Sequence, residues 1–336
     1  PYDRPPLSKE VLRGDTDDST LPVDLAALEV DLRLGTRLVA VGDHVAVTDR
    51  DELSFDRLVL ATGAEPRRLP LAGGALVLRT REDALRLRSA MAPGSRLAIV
   101  GAGWIGAEVA TVAAAAGVAV TVLEAGAAPL ASALPAEVTA RMLPWWQGVD
   151  LRLGTPVTTL PADADAVLVA VGAVPVAVPG VRTTDSGAVT VDRHLRTSLP
   201  DVFAVGDCAA WESARYGTRM HVEHWDNALR APAVAAANAL GGAEVYDPVP
   251  YFWSEQWGRM VQYAGHHPAG ERLVWREEGE RWAAFWLSGP ELVAALAVDR
   301  PRDLVQARHL MERHVPVDPA RLADPAVPVR MAGLAG

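Results

Sequence analysis

The chain has 336 residues, of which 50% are hydrophobic and 22% are charged. This length suggests two or three domains, and this composition excludes a wholly disordered chain. The formal net charge of -10 excludes a general nucleic-acid-binding protein, because proteins of that class carry a basic surface.

The sequence predicts a cytoplasmic protein without a membrane-spanning helix or a secretory signal. The longest uncharged runs, residues 109–123 and 166–181, are shorter than the roughly 18 apolar residues that a spanning helix needs. The first residues are polar, and no apolar run follows them. The single cysteine, Cys208, rules out an intramolecular disulfide, and we expect it to be a buried structural thiol.

The first part of the chain predicts short strands and one helix. Alternating segments separated by Gly or Asp turns are typical of an antiparallel meander. These segments are residues 30–34, 37–41, 44–48 and 52–55. Residues 57–64 form an apolar run that ends in Thr-Gly, which indicates a buried strand whose end faces a ligand. Residues 81–92 then have the spacing of a helix.

The middle of the chain predicts a parallel sheet. A strand at 96–100, a helix at 107–116 and a strand at 118–123 make a βαβ unit within about 30 residues. Residues 149–153 and 166–171 continue the same sheet.

The last part of the chain predicts a further nucleotide-binding half and an antiparallel domain. Strands at 188–191 and 202–205 precede an Ala-rich helix at 226–240. Four antiparallel strands and a helix follow, where the composition becomes more aromatic. The four strands are residues 260–265, 273–277, 282–287 and 292–298, and the helix is 302–313. The Pro- and Ala-rich tail, 323–336, is expected to be loose.

A glycine motif carries the strongest functional signal. Gly101-Ala102-Gly103-Trp104-Ile105-Gly106 is a dinucleotide-binding fingerprint in its required place, after a strand and before a helix. Gly101 permits the tight turn, Gly103 lets a pyrophosphate approach the backbone, and Gly106 allows close packing of helix and strand.

Glu124 favours an NADH site over a glycine turn that only packs a structural helix. It follows Gly106 by 18 residues, at the end of the next predicted strand. A carboxylate at this point binds ribose hydroxyls and repels the extra phosphate of NADPH.

Lys9 is the only lysine among 32 basic residues. A lysine kept where arginine serves elsewhere suggests a site that needs a compact ammonium with an adjustable pKa. The alternative is chance survival of one lysine on the surface. Glu108 lies near the start of the helix that follows the glycine motif, where a carboxylate interacts favourably with the helix dipole. A second interpretation pairs Glu108 with Lys9.

A second nucleotide site is indicated at two other strand ends. Residues 197–207 form a polar turn, a short apolar strand and a terminal Gly206-Asp207. Gly206 allows a close approach, and Asp207 accepts hydrogen bonds from hydroxyl groups. Together with the strand end at 61–63, this pattern predicts a ligand at the carboxyl ends of another parallel sheet.

Aromatic residues cluster with polar ones at 223–228 and 251–257. Such rings line a flat heteroaromatic ligand or simply pack in the core. Core packing is favoured for Trp257, Trp275, Trp282 and Trp286. The pair His266-His267 lacks the further ligands that a metal site needs, so no metal site is predicted.

In chain order, these motifs resemble those of FAD- and NADH-dependent ferredoxin reductases of the putidaredoxin reductase type. That family is related to apoptosis-inducing factor and to the wider pyridine nucleotide-disulphide oxidoreductase superfamily. The resemblance covers nearly the whole chain and includes motifs of the branch that lacks a redox disulfide. The matching segments are residues 4–9, 61–63, 78–80, 101–108, 197–207, 223–228 and 252–256.

The resemblance implies FAD in an extended conformation, with NADH beside it. The residues that would bind FAD are Arg4, Lys9, Leu38, Ala61, Thr62, Gly63, Arg79, Gly206, Asp207, Glu223, His224 and Trp225. The residues that would bind NAD are Gly101, Gly103, Trp104, Ile105, Gly106, Glu108, Glu124 and Gly172. The implied catalytic residues are Lys9, near flavin N5 in the family, and Glu108, its partner. The ammonium would stabilise negative charge on the flavin, and the carboxylate would set its position and pKa.

The chain departs from the family at its start. The family places an FAD-binding glycine motif upstream of residues 4–9, and a βαβ unit needs roughly 30 residues. This chain begins three residues before Arg4. We expect a truncated form of a longer protein rather than a fragment that binds FAD poorly, because the downstream FAD residues are intact.

The sequence thus predicts an α/β protein with two Rossmann-like, three-layer nucleotide-binding domains and a C-terminal α+β domain. The FAD domain would be discontinuous, comprising 1–73 and 176–243. The NAD domain would span 74–175, and the C-terminal reductase domain would span 244–336.

The expected activity transfers hydride from NADH to FAD and then single electrons to a [2Fe–2S] ferredoxin of a P450 or ring-hydroxylating oxygenase. The flavin is needed because hydride carries two electrons and the cluster accepts one. With a net charge of -10, docking of an acidic ferredoxin would need a local arginine patch. We expect a monomer or a weak dimer. The alternatives are an NADH-sensing binding protein like apoptosis-inducing factor and an NADH oxidase.

Overall fold

A computed structural model describes residues 1–70 and 73–334. Its α-helices are α1 (Glu10–Arg13), α2 (Arg81–Ser89), α3 (Trp104–Ala115), α4 (Ala136–Met142), α5 (Trp225–Ala239), α6 (Pro301–Glu312) and α7 (Pro319–Ala323). Its strands are β1 (Leu38–Val41), β2 (Val45–Thr48), β3 (Glu52–Ser54), β4 (Leu58–Leu60), β5 (Ala64–Pro66), β6 (Arg96–Val100), β7 (Ala119–Leu123), β8 (Asp150–Arg152), β9 (Ala166–Val169), β10 (Ala173–Pro175), β11 (Val189–Val191), β12 (Val202–Ala204), β13 (Ala209–Ser213), β14 (Thr218–His221), β15 (Tyr251–Gln256), β16 (Arg259–Gly265), β17 (Arg272–Glu278), β18 (Arg281–Ser288) and β19 (Glu291–Val298). Within the two described ranges, no helix is both long and apolar enough to cross a membrane.

The chain forms two compact units. Unit 1 comprises residues 1–23, 65–174 and 254–259, and unit 2 comprises residues 24–64, 175–253 and those from 260 onward. This division by compactness places the first 23 residues with the glycine motif rather than with the remainder of the predicted FAD domain. The predicted division into three domains therefore stays a prediction.

Unit 1 is built on a parallel four-stranded sheet. Its strand order is β8-β7-β6-β9, and all three neighbouring pairs run parallel. The apolar positions of β6, Leu97 and Ile99, are buried together with Val122 and Leu168, as expected for strands covered on both faces. The predicted βαβ unit is confirmed.

The helix after the glycine motif begins earlier than predicted. It starts at Trp104, and Gly103 is its N-cap with an extended backbone. A helix can begin inside the motif because only the turn itself needs an unusual backbone, which Gly101 supplies. As a result, Glu108 lies in the second turn of α3. The helix dipole acts mainly within the first turn, so the environment of the Glu108 carboxylate is set more by its burial than by the dipole.

Before the C-terminal part, unit 2 contains three small sheets. Strands β1, β2 and β3 form the predicted antiparallel meander. Strands β4 and β12 pair in parallel from Leu58 opposite Val202 to Leu60 opposite Ala204. Strands β11, β13 and β14 form a third sheet.

One strand prediction in this unit is wrong, and another is wrong in part. Residues 30–34 are not a strand, and no strand among the described residues pairs with them. An alternating apolar pattern forms a strand only when a neighbour completes its hydrogen bonds. The run 57–64 is not one strand: it contains the short strand β4 and the first residue of β5. In β4, Leu60 is buried while Val59 is 38% exposed.

The C-terminal part is an antiparallel sheet packed against a helix, as predicted. Its strand order is β15-β16-β19-β18-β17, and residues 254–259 at the tip of the β15–β16 hairpin belong to unit 1. Trp282 and Trp286 are buried in this sheet, which confirms the core interpretation for these two residues.

The prediction of a loose tail is wrong for the described residues 323–334. Val329 and Ala332 are fully buried in the same core as Phe285 and Leu322. The tail is held because the guanidinium of Arg276 donates hydrogen bonds to three of its carbonyl groups and to that of Leu322, which precedes it. The last two residues of the predicted tail lie outside the described residues.

Candidate active site

The glycine turn of unit 1 has the geometry that a dinucleotide requires. Gly101 has a φ of +102°, and a Cβ added there would lie 2.5 Å from the carbonyl oxygen of Ala170. A Cβ on Gly106 would lie 2.1 Å from the carbonyl oxygen of Gly101. A Cβ on Gly103 would meet no other atom within 4 Å. The turn therefore has no room for a side chain at Gly101 or Gly106, whereas the space beside Gly103 is empty. The first N–H groups of α3 lie at this position, where they could bind a phosphate.

We expect Gly103→Ala and Gly106→Ala to separate binding from folding. Gly103→Ala has room in the protein and should change the unfolding free energy by less than about 1 kcal/mol. It should raise the Kd of NADH about tenfold, because its methyl group keeps a phosphate from the backbone N–H groups. Gly106→Ala should instead destabilise the fold by about 1–3 kcal/mol, because helix and turn must move apart. Calorimetric titration and urea unfolding measure the two effects, and equal NADH affinity in Gly103→Ala and the parent protein would contradict the assignment.

Glu124 is held beside the glycine turn. One carboxylate oxygen, Oε2, accepts a hydrogen bond from the N–H of Ala102 at 2.7 Å, and the other accepts one from the N–H of Gly126 at 2.6 Å. Each oxygen keeps a further lone pair for a hydroxyl group. The two backbone bonds orient the carboxylate without using its full capacity, so the ribose role predicted for Glu124 stays a prediction that this geometry permits.

Lys9 and Glu108 form a buried ion pair. Lys9 Nζ lies 2.9 Å from Glu108 Oε2, and the two residues are only 6% and 4% exposed. The predicted pairing is therefore present, and the alternative of a chance surface lysine is wrong. Lys9 follows a short 3₁₀-helix, Pro5–Ser8, and its ammonium also donates to the carbonyl oxygen of Pro5 at 3.3 Å.

Burial of both charges is costly unless further hydrogen bonds support them. Ser8 supplies one, since its hydroxyl donates to Glu108 Oε2. Ser254 supplies another, donating to Glu108 Oε1 at 2.6 Å. Gln256 then donates from Nε2 to the hydroxyl of Ser254 at 3.0 Å. Sequence reasoning missed the roles of all three polar residues, and the only signal for them was their place in the segments 4–9 and 252–256.

Unit 2 brings two glycine strand ends to the same edge of a parallel pair. Gly63 follows β4 with a φ of +71°, and Gly206 follows β12 with a φ of +69°. Because β4 and β12 run parallel, both glycines lie at the carboxyl-end edge of the strand pair. Asp207 follows Gly206 at this edge. This agrees with the predicted carboxyl-end ligand position within unit 2.

His224 lies at the start of α5 with an unsatisfied polar atom. Its Nδ1 is buried and, among the described residues, has no hydrogen-bond partner. Its ring lies 4.3 Å from that of Phe252. A buried imidazole nitrogen without a partner is rare in folded proteins, and a bound polar ligand would satisfy it. The unsatisfied Nδ1 of His224 is thus compatible with the flavin that the resemblance implies.

Comparison with known proteins decides the family. Residues 1–231 match the family model described as pyridine nucleotide-disulphide oxidoreductase, and residues 251–332 match the reductase C-terminal domain. The chain belongs to the pyridine nucleotide-disulphide oxidoreductase family. The resemblance seen in the sequence and the predicted fold class are both confirmed.

Two curated relatives from Pseudomonas putida align with almost the whole chain. The ferredoxin–NAD(+) reductase component of the p-cumate 2,3-dioxygenase system is 35% identical, over 98% of this chain and 89% of its own length. Putidaredoxin reductase is 33% identical, over 98% and 87%. Among solved structures, the covalent putidaredoxin reductase–putidaredoxin complex matches with a TM-score of 0.91 and 30% identity, covering 99% of this chain and 89% of that one.

The family name refers to a disulphide, which this member of the family does not have. Its single cysteine, Cys208, is fully buried, and its thiol lies 3.2 Å from the carbonyl oxygen of Val205. The expectation of a buried structural thiol is confirmed. Among residues 1–70 and 73–334, no group of three or more His, Cys, Asp or Glu could hold a metal ion.

The other predicted site residues fall in one unit or the other, and their roles stay predictions. Unit 1 holds Arg4, Arg79, Trp104, Ile105 and Gly172. Unit 2 holds Leu38, Ala61, Thr62, Glu223 and Trp225. Two of them are placed in an informative way. Leu38 packs against the core of unit 2, and Trp225 is 38% exposed, with its ring edge-on to Trp253.

The burial of His224 predicts a loss of stability in acid. Burial lowers its pKa from 6.5 to about 4, although Asp207 opposes the shift. Between these two pH values the imidazole is protonated in the unfolded chain and neutral in the folded protein. The free energy of unfolding therefore falls as the pH falls from 6.5 to about 4. His267 is shifted in the same direction.

We expect His224→Gln to reduce this decline, because glutamine does not titrate. Urea unfolding midpoints at pH 7.5, 6, 5 and 4.5 measure the effect, with the pH 7.5 values as the reference for any change in packing. An identical pH slope in His224→Gln and the parent protein would refute the assignment.

Proposed function

We propose that this protein is an NADH-dependent ferredoxin reductase that binds FAD and serves a [2Fe–2S] ferredoxin of a P450 or ring-hydroxylating oxygenase. The observation that carries the proposal is the buried ion pair between Lys9 and Glu108. Glu108 lies on α3, the helix that begins at the glycine turn. A buried ion pair is a weak source of stability, so a functional reason for it is favoured. The relatives named ferredoxin–NAD(+) reductase and putidaredoxin reductase support the same activity.

The glycine turn and Glu124 would bind NADH. The open backbone at Gly103 would receive the pyrophosphate, while the closed positions at Gly101 and Gly106 hold the turn rigid. Glu124 would accept hydrogen bonds from the ribose hydroxyls, and its negative charge would oppose the phosphate of NADPH.

The predicted site residues would hold FAD. Lys9 would place its ammonium near the flavin, and Asp207 and His224 would bind the cofactor. Glu108 keeps the ammonium in position, and the low pKa of His224 keeps that imidazole neutral at pH 7. FAD, when bound, supplies the conversion between the two electrons of a hydride and the single electrons that a ferredoxin accepts.

The NADH oxidase alternative is not favoured. Such enzymes usually rely on a redox-active cysteine, whereas Cys208 is fully buried, and its thiol contacts the carbonyl groups of Leu60 and Val205. Reactive cysteines sit in partly exposed, electropositive surroundings.

Absorbance spectroscopy and stopped-flow mixing test the proposal. Protein reconstituted with FAD should show flavin absorbance that NADH bleaches much faster than NADPH. It should then reduce a [2Fe–2S] ferredoxin in repeated turnovers. A slow, long-lived charge-transfer complex without ferredoxin reduction would favour the NADH-sensing alternative and contradict the reductase.

A further inference from the structure

The hairpin tip, residues 254–259, is fastened to α3 at two points. Ser254 donates to the carboxylate of Glu108, and the N–H of Trp257 donates to the hydroxyl of Thr111 at 3.1 Å. Glu108 and Thr111 are three residues apart, so they lie on one face of the helix. Ser254 and Trp257 have the same separation on the hairpin. The two hydrogen bonds therefore fix the position of the hairpin tip along α3, the helix that contains Glu108.

Trp257 occupies a turn position that does not suit a tryptophan. It has a φ of +53° and is followed by Gly258 with a φ of +72°. Two-residue hairpin turns with two positive φ values favour Asn-Gly, and a bulky residue there is strained. Its ring packs against Trp146 at 5.3 Å between centroids. A strained backbone is retained where the surroundings over-determine it, and here the indole contact and the bond to Thr111 do so.

The hydroxyl of Ser254 is oriented toward Glu108. It receives a hydrogen bond from Gln256 Nε2, so its own proton is directed to the carboxylate. Ser254 and Gln256 are each only 1% exposed, and water does not compete for these bonds. Lys9 and Ser8 both bind Oε2, which leaves Ser254 as the donor to Oε1. Without it, Oε1 would lose its donor, and only the bonds at Oε2 would fix the orientation of the carboxylate.

We propose that Ser254 is a positioning residue for the Lys9–Glu108 pair, and that Gln256 and Trp257 hold Ser254 in place. Its consequence for hydride transfer rests on the proposed function, but its effect on Lys9 does not. Loss of the Ser254 hydroxyl would loosen Glu108, and the ammonium of Lys9 would lose its fixed direction.

The single lysine makes a direct test possible. Protein labelled with ¹⁵N-lysine gives one side-chain ammonium signal, that of Lys9, without FAD, NADH or ferredoxin. Ser254→Ala should speed the exchange of its protons with water about tenfold, the expected effect of losing one bond to a charged group. Ser254→Thr retains the hydroxyl and should stay within about threefold of the parent protein.

Trp257→Asn tests the anchoring of the tip. Asparagine suits the left-handed turn position, but it lacks the indole that packs against Trp146. The melting temperature should therefore fall, and exchange at Lys9 should become faster. In FAD-loaded protein, Ser254→Ala should lower the limiting rate of flavin bleaching about tenfold without changing the Kd of NADH, and Ser254→Thr should restore that rate.

Unchanged Lys9 exchange in Ser254→Ala would overturn the inference, whatever happens to the melting temperature. Failure to reduce ferredoxin in the parent protein would instead overturn the proposed function and leave the Lys9 result intact. The two failures are therefore distinguishable.

Discussion

Lys9→Met should slow the bleaching of bound flavin by NADH about 10²–10³-fold. Removal of one preorganised charge or donor from a buried reaction site has an effect of about this size. Lys9 is the only lysine of the chain, and its ammonium is held by Glu108 and by the carbonyl oxygen of Pro5. Stopped-flow absorbance at saturating NADH measures the limiting rate.

The same substitution should also destabilise the fold, by about 3–5 kcal/mol, because Glu108 is left buried without its counter-charge. The double variant Lys9→Met/Glu108→Leu is the matched control. It removes both charges, so it should regain most of the unfolding free energy while its hydride transfer stays slow. A double variant that regained both properties would show that Lys9 acts only through stability.

Arg276→Met should lower the unfolding free energy by about 3–5 kcal/mol, as expected when one member of a buried, hydrogen-bonded charge network is removed. Arg276 is 2% exposed. Its Nε donates to Asp303 at 3.0 Å, and its two terminal nitrogens donate to the carbonyl groups of the C-terminal segment. The carbonyl acceptors are those of Leu322, Asp324, Pro325 and Val327.

All five N–H donors of Arg276 are thus in use, so Arg276→Lys, with three donors, should recover only part of the loss. Urea unfolding followed by tryptophan fluorescence measures the changes. The control is Arg281→Met, which breaks only the exposed pair with Glu278 and should cost less than about 1 kcal/mol. Equal unfolding midpoints for Arg276→Met and Arg281→Met would contradict this account of the tail.

Local sequence patterns determined the secondary elements wherever their signals were short-range. The strand before the glycine motif is β6, as predicted from its apolar run, and Gly101 and Gly106 stand where a side chain would collide with the backbone. Such features depend on neighbours within a few residues. The family resemblance then carried the prediction from these motifs to the pairing of Lys9 with Glu108.

The tertiary structure alone decided which distant groups complete that pair. Ser254 is 146 residues from Glu108 in the sequence, and no periodicity reports a contact of that range. The Pro- and Ala-rich composition of the tail suggested a loose segment, because it does not show the three hydrogen bonds that Arg276 donates to the tail. Residues 30–34 have a strand pattern, but a strand depends on a partner that the pattern does not name. Short-range order therefore followed from residue types, whereas burial, charge support and strand pairing depended on segments that only folding brings together.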